Sequence, residues 1–328
     1  MTVFTVNDTE FGWEEIVIAA EVWGEWRPFV EQARQSLACL LLAAETGQMP
    51  AGKETREAGA AFRYAHNLIS ADETETWLSA WGMTVDDWMN YLRGRLLRER
   101  WANRLNQIVA ANPVSDEEVA EVIKSYAVSS DKFAEWARKL AGRAAIALGA
   151  VMSGSRPSPG ESPRELIERI EAGFDAERRL AVTPALLEAK IADHRLDWVR
   201  FDCRYVWFPE ERIAREAALC VTEDGLTLDE VAYDARSVAQ QWDFYLDEIE
   251  ANARPYFLAA RAGDWLGPVK MMEGFPLFAI VNKQMPAESD PRVRQRAEQA
   301  IINSLIEKEM NERVKWADLG ATQDRRTE

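Results

Sequence analysis

Histidine, cysteine and net positive charge are all scarce in this chain. Only His66 and His194 occur in 328 residues. A histidine-based metal or nucleophile site would need both, and they fall in different predicted domains, so each is expected to cap or hydrogen-bond locally. The three cysteines, Cys39, Cys203 and Cys220, form neither an even disulfide framework nor a close metal-spaced pair. That pattern fits a reducing compartment and three buried thiols. Lys and Arg number 39 against 55 Asp and Glu, a formal charge of −16. Such a balance repels phosphate backbones, and no local basic patch offsets it, so nucleic acid is excluded as a partner. The longest small-apolar run, Ala144 to Met152, falls far short of the roughly 20 residues that span a bilayer. Asp8, Glu10, Glu14 and Glu15 stand where a secretory signal needs basic and then apolar residues. A cytoplasmic chain with no membrane segment is the expectation. No Gly-rich phosphate loop and no His-Glu-x-x-His helix appears, so neither a cofactor nor a metal is expected.

What is present is ample. The length suits two domains, and 47% hydrophobic residues with 13 Trp suit globular cores. From Glu14 to about Val151 apolar residues recur at helical spacing. Ser70 to Glu73, Thr84 to Asp87 and Ser115 to Glu118 read as helix starts, with the hydroxyl and the carboxylate satisfying orphan amides. Trp23, Trp26, Trp77, Trp81, Trp88 and Trp101 lie at helical spacing and read mainly as core. Three prolines and two glycines over 153–163 predict a flexible connection, followed by helices over 164–174 and 183–194.

The texture changes beyond Asp197. Trp198 to Phe208 is aromatic and β-branched with near-alternation, and reads as a strand. Glu210 to Val221 is then a predicted helix, and Thr227 to Glu230 caps another. Gln241 to Leu246 reads as a short strand, Leu266 to Val269 as an edge, and Phe275 to Asn282 as a closing strand. Strand, helix, helix, strand, turn, strand describes a small α+β unit. Pro291 to Trp316 reads as one charged amphipathic helix, with a tail expected to be disordered after Asp318.

The stretch from Trp198 to about Pro286 resembles the parvulin (PpiC-type) peptidyl-prolyl isomerases. The resemblance is carried by Ala262-Gly263-Asp264-Trp265-Leu266-Gly267-Pro268-Val269, by Gly274 to Val281, and by Leu226 to Ala232 in the expected order. Helices before this unit and one long helix after it are similar to SurA-type chaperones. That layout implies that the final helix packs back on the N-terminal lobe through Val293, Ala297, Ile301 and Leu305. Phe62 to Glu73, Trp77-Leu78, Gly82 to Trp88 and Leu186 to Trp198 resemble PpiC-related peptide-maturation proteins encoded beside precursors of ribosomal peptide natural products. The implied fold class is α+β: a SurA-like helical N-terminal lobe completed by a C-terminal helix, with a degenerate parvulin-like domain. The implied division is a lobe over 1–152, a linker over 153–163, a helical connector over 164–196, the parvulin-like domain over 197–287 and the final helix over 288–318.

Departures from the family pattern shape the functional expectation. Parvulins place one His on the first strand and one on the closing strand. Here Arg204 or Tyr205 holds the first position, and Pro276 follows Gly274-Phe275. The Gly-rich loop after the catalytic acid or thiol is also missing, with Asp234 the nearest candidate acid. The resemblance therefore implies a non-catalytic, chaperone-like protein that binds a ribosomally made precursor peptide for modifying enzymes or a paralogous subunit. Its candidate groove is formed by Tyr205, Trp207, Trp242, Phe244, Met271, Met272, Phe275 and Phe278, of which strand alternation should send about half to the core. Two alternatives stand beside it: an active isomerase with a rearranged site, and a scaffold whose exposed aromatics meet a biosynthetic enzyme.

Overall fold

A computed structural model describes residues 1–150, 160–271 and 274–317. Most of the predicted connection over 153–163, and the tail after Asp318, lie outside the described residues. The chain divides into two compact units, Met1–Arg179 with Leu305–Glu328, and Leu180–Ser304. No helix among the described residues is long and apolar enough to cross a membrane.

The first unit opens with a hairpin absent from the sequence expectation, β1 (Thr2–Val6) and β2 (Thr9–Gly12). Its helices are α1 (Trp13–Val22), α2 (Trp26–Thr46), α3 (Gly52–Ala65), α4 (Ala71–Trp81), α5 (Val85–Arg100), α6 (Leu105–Ala111), α7 (Asp116–Ser129) and α8 (Lys132–Ala150). The three predicted starts are in place. The amides of Glu73, Asp87 and Glu118 donate to the hydroxyls of Ser70, Thr84 and Ser115 at 3.1, 3.1 and 3.2 Å, while each carboxylate accepts from the cap residue's own amide. Trp77, Trp81, Trp88 and Trp101 are buried, whereas Trp23 and Trp26 are half-buried. His66 ends α3, its ring stacked on Phe62 at 3.9 Å, with Nδ1 2.8 Å from the Phe62 carbonyl and Nε2 2.7 Å from Asp131.

The second unit is built on an antiparallel sheet. After α9 (Pro163–Ala181), most of which belongs to the first unit, come α10 (Pro184–Asp193), β3 (Arg200–Val206), α11 (Glu211–Thr222), α12 (Leu228–Asp234) and β4 (Gln240–Tyr245). A short helix, α13 (Arg254–Ala259), then precedes β5 (Trp265–Leu266) and β6 (Leu277–Gln284). The strand order is β4-β3-β6-β5. The predicted α+β class and element order are those found, with α13 added where only a turn was expected.

The last helix, α14 (Pro291–Arg313), is shared between the units, and its apolar stripe is divided accordingly. Val293 and Ala297 are buried with Leu187, Ile191, Trp198 and Tyr245 of the second unit, with Ile301 packed against them. From Leu305 onward the helix belongs to the first unit. There Gly142 of α8 leaves room for it, since a Cβ at that position would lie 2.8 Å from Ile306. The helix stops at Arg313, short of the expected Trp316, because Val314–Trp316 forms β7 and pairs antiparallel with β1, Phe4 opposite Trp316.

Candidate functional site

Period-2 alternation gives the four-stranded sheet two chemically different faces. One carries Phe201, Cys203, Tyr205 and Trp207 from β3 and its end, Trp242 and Phe244 from β4, Phe278 and Ile280 from β6, and Leu266 from β5. The other carries Val206, Phe208, Leu277 and Trp265, and is covered by Ala214, Ala217 and Val221 of α11 and Leu228 and Val231 of α12. The sheet is thus lined by aromatics on one side and roofed by two helices on the other.

The aromatic face is only partly covered. Phe257 of α13 is fully buried over its centre, with ring centroids 5.2 Å from Phe244, 5.0 Å from Phe278 and 5.3 Å from Phe201. Lys283 fixes this helix to β6, its Nζ donating to the carbonyls of Phe257, Leu258 and Ala260 at 3.3, 2.6 and 2.9 Å. An ammonium on the last carbonyls of a helix satisfies acceptors that the helix itself leaves unpaired. Beyond the reach of α13, toward the other end of β3, Tyr205, Trp207 and Trp242 remain half-buried. Tyr205 meets Trp242 edge-on at 6.0 Å and donates its hydroxyl proton to Gln240 Oε1 at 2.6 Å.

Six of the eight groove residues named from sequence therefore share one face. Tyr205, Trp207 and Trp242 form its half-buried rim, while Phe244, Phe278 and Met271 lie beneath as buried floor. Phe275 packs instead with Phe208 and Leu277 on the opposite side. Its amide donates to the Phe208 carbonyl at 2.8 Å, and Gly274 before it has φ +148°. A Cβ at Gly274 would lie 2.5 Å from that carbonyl and 2.8 Å from Trp207 Nε1, so only glycine fits the crossing. Met272 lies outside the described residues.

Polar groups on this unit are spent on structure. Arg204 lies on the helix-covered side and pairs with Asp229 of α12 at 2.6 Å, which holds the Asp229 carboxyl below its ordinary range. Asp234 is exposed as the last residue of α12. Cys203 is fully buried, and burial pushes its thiol up to about 12. His194 ends α10 and stacks on Trp198 at 4.5 Å, away from the aromatic face.

The strand over Gln241 to Leu246 was expected, but its place at an edge of the sheet was not. Among the described residues β4 pairs on one side only, with β3. Val238, two residues before its start, is 74% exposed, and Tyr233 of α12 is 82% exposed. Two exposed apolar side chains shortly before an open strand were readable as a signal, but only once the strand's place in the sheet order was known.

Comparison with solved structures finds similarity to the peptidylprolyl isomerase PrsA from Bacillus anthracis, at 11% identity over 75% of this chain and 96% of that chain, TM-score 0.30. PrsA from Bacillus subtilis is similar at 13% identity over 66% and 85%, TM-score 0.23. One of two structurally related SurA-like chaperones of Campylobacter jejuni is similar at 14% over 65% and 86%, TM-score 0.24. No family model and no curated protein matches the sequence.

Proposed function

We propose that this chain is a PpiC-related, chaperone-like protein that binds an extended peptide without catalysis, along the open edge of β4 and against the rim of Tyr205, Trp207 and Trp242. The observation that carries this reading is the coincidence of an edge strand with a half-buried aromatic band on the adjoining face. Main-chain hydrogen bonds to the edge supply affinity, and alternate side chains of the peptide fall on the aromatic rim, which supplies selectivity. A ribosomally made precursor peptide, held for modifying enzymes or a paralogous subunit in the cytoplasm, is the client that the sequence resemblance suggests.

Several placements support a non-catalytic role. Lowering the ~18–20 kcal/mol barrier of X-Pro exchange takes positioned groups. Among the described residues, the titratable side chains on the aromatic face are a buried thiol, a tyrosine hydroxyl spent on Gln240, and a lysine committed to helix carbonyls. In the proposed division of labour, the unit Leu180–Ser304 binds the client, while Met1–Arg179 with the last helix from Leu305 onward forms the supporting lobe.

The test is peptide selection on an array of extended apolar sequences, followed by calorimetric titration of the best binder. Trp242→Ala should weaken binding about thirtyfold, near 2 kcal/mol. Phe275→Ala, on the opposite face, should change affinity much less, and an exchange-NMR isomerase assay should show no turnover. Equal affinity of wild type and Trp242→Ala, with folding intact, would move the client elsewhere. Efficient turnover abolished by Asp234→Ala would make the protein an isomerase.

A further inference from the structure

Independently of the sheet, the helical lobe carries an open apolar groove. It encloses about 310 Å3 between Leu37, Leu41 and Ala44 of α2, Met49 just beyond that helix, Asn90 of α5, Val114 just before α7 and Glu118 in its first turn. Leu41 is 43% exposed and Met49 40%.

The chemistry of the walls selects the occupant. The two long walls, α2 and α7, spend their backbone amides and carbonyls on their own helical ladders, and Met49 and Val114 in the adjoining loops are too short a stretch to pair with an added strand. An occupant must arrive with its own backbone bonds satisfied, which is the condition a helix meets. The rim is acidic. Glu118 lies on the wall, Glu121 stands one helical turn further on, and Glu45 follows Leu41 by four residues; all are exposed. Of the nearby cations, Arg34 is committed to the Val114 carbonyl and to Asp116, both at 2.5 Å, and Arg93 donates to Asn90 of the lining at 3.1 Å, which leaves the three carboxylates in excess. A second copy of this chain, also at −16, would meet like charge here. We propose that this groove docks an amphipathic helix of a partner protein, with leucine-like anchors on one face and lysine or arginine flanking them.

The experiment titrates the full chain with two synthetic amphipathic helices that share a leucine face and differ in a Lys-rich or Glu-rich polar face. The Lys-rich helix should bind and the Glu-rich helix should not. Leu41→Asp, at an exposed position that leaves the fold intact by circular dichroism, should weaken binding at least about tenfold. Glu45→Lys with Glu121→Lys should weaken it and flatten its salt dependence. Trp242→Ala should bind as wild type, separating this surface from the sheet edge. The proposal fails if neither helix binds, if both bind alike, or if Leu41→Asp binds the Lys-rich helix as tightly as wild type does, which marks adsorption to an acidic surface. It also fails if sedimentation shows a wild-type dimer that Leu41→Asp dissociates, since the groove would then be a self-interface.

Discussion

Cys203 stands opposite Trp242 on one neighbouring strand and Ile280 on the other, fully buried. In that setting the thiolate is unfavourable, because an apolar enclosure withholds the solvation a sulfur anion needs. Cys39, also buried, is raised for the same reason, whereas Cys220 on α11, expected to be buried like the other two, is half-exposed. Alkylation by iodoacetamide at pH 8 should therefore label Cys220 first and leave Cys39 and Cys203 unmodified until the protein is denatured, as read by peptide mass spectrometry. Rapid native labelling of Cys203 would show that the aromatic face opens. The buried character of Cys39 and Cys203 was legible from a sparse, unpaired cysteine pattern, and so was the local role of His66 as a helix end. Its partner Asp131 was not: nothing in the intervening residues announces that the turn before α8 returns to the end of α3.

At the scale of elements, the decisive piece is α13. Alternation along β3, β4 and β6 was readable, yet Phe275, named with the groove residues, packs on the opposite side. Which aromatics stay open depends on what covers them, and the short helix Arg254–Ala259 falls where only a turn was expected. Too brief to show a 3.6-residue period, it places Phe257 over Phe244 and Phe278 and turns two candidate groove residues into floor. The hairpin β1–β2 was missed for a related reason, since a strand of five residues is stabilised by neighbours, and one of these, β7, comes from the far end of the chain. The exposed side of β4 offers a test of how the edge is held. Asp243 accepts from Arg200 of β3 at 2.6 Å and from Arg292 of α14 at 2.9 Å, and the Arg200 guanidinium foremost holds its carboxyl below the usual range. A depressed folded-state value stabilises the fold above the ordinary aspartate range near ~3.9, and that stabilisation is lost as pH falls through the lowered value. Asp243→Asn should thus cost about 1 kcal/mol near pH 7, after discounting for solvent screening. In chemical denaturation the difference from wild type should close as the pH falls through that lowered value. A difference that stays constant across this range would mean that the ion pairs contribute nothing and the amide is merely a poorer fit.

For the molecule as a whole, the separation of units is an energetic statement as well as a geometric one. Every member of the three clusters that build the sheet unit lies between Val182 and Ile301. The resemblance-based boundary of 197–287 is narrower. It omits Leu187 and Ile191 of α10 and Val293 and Ala297 of α14, which cover Trp198 and Tyr245. Burying a side chain such as Leu, Ile or Val contributes about 1.5–3 kcal/mol, so removing three of them withdraws an amount comparable to the whole stability of a small domain. A fragment spanning 180–304 should therefore fold alone, with a single cooperative thermal transition and dispersed amide resonances. The fragment 197–287 should expose Trp198, show red-shifted tryptophan emission and aggregate or melt at a much lower temperature. Two fragments of equal stability would place α10 and the start of α14 outside the folding unit. Failure of 180–304 to fold would mean that the sheet unit depends on the helical lobe for its core.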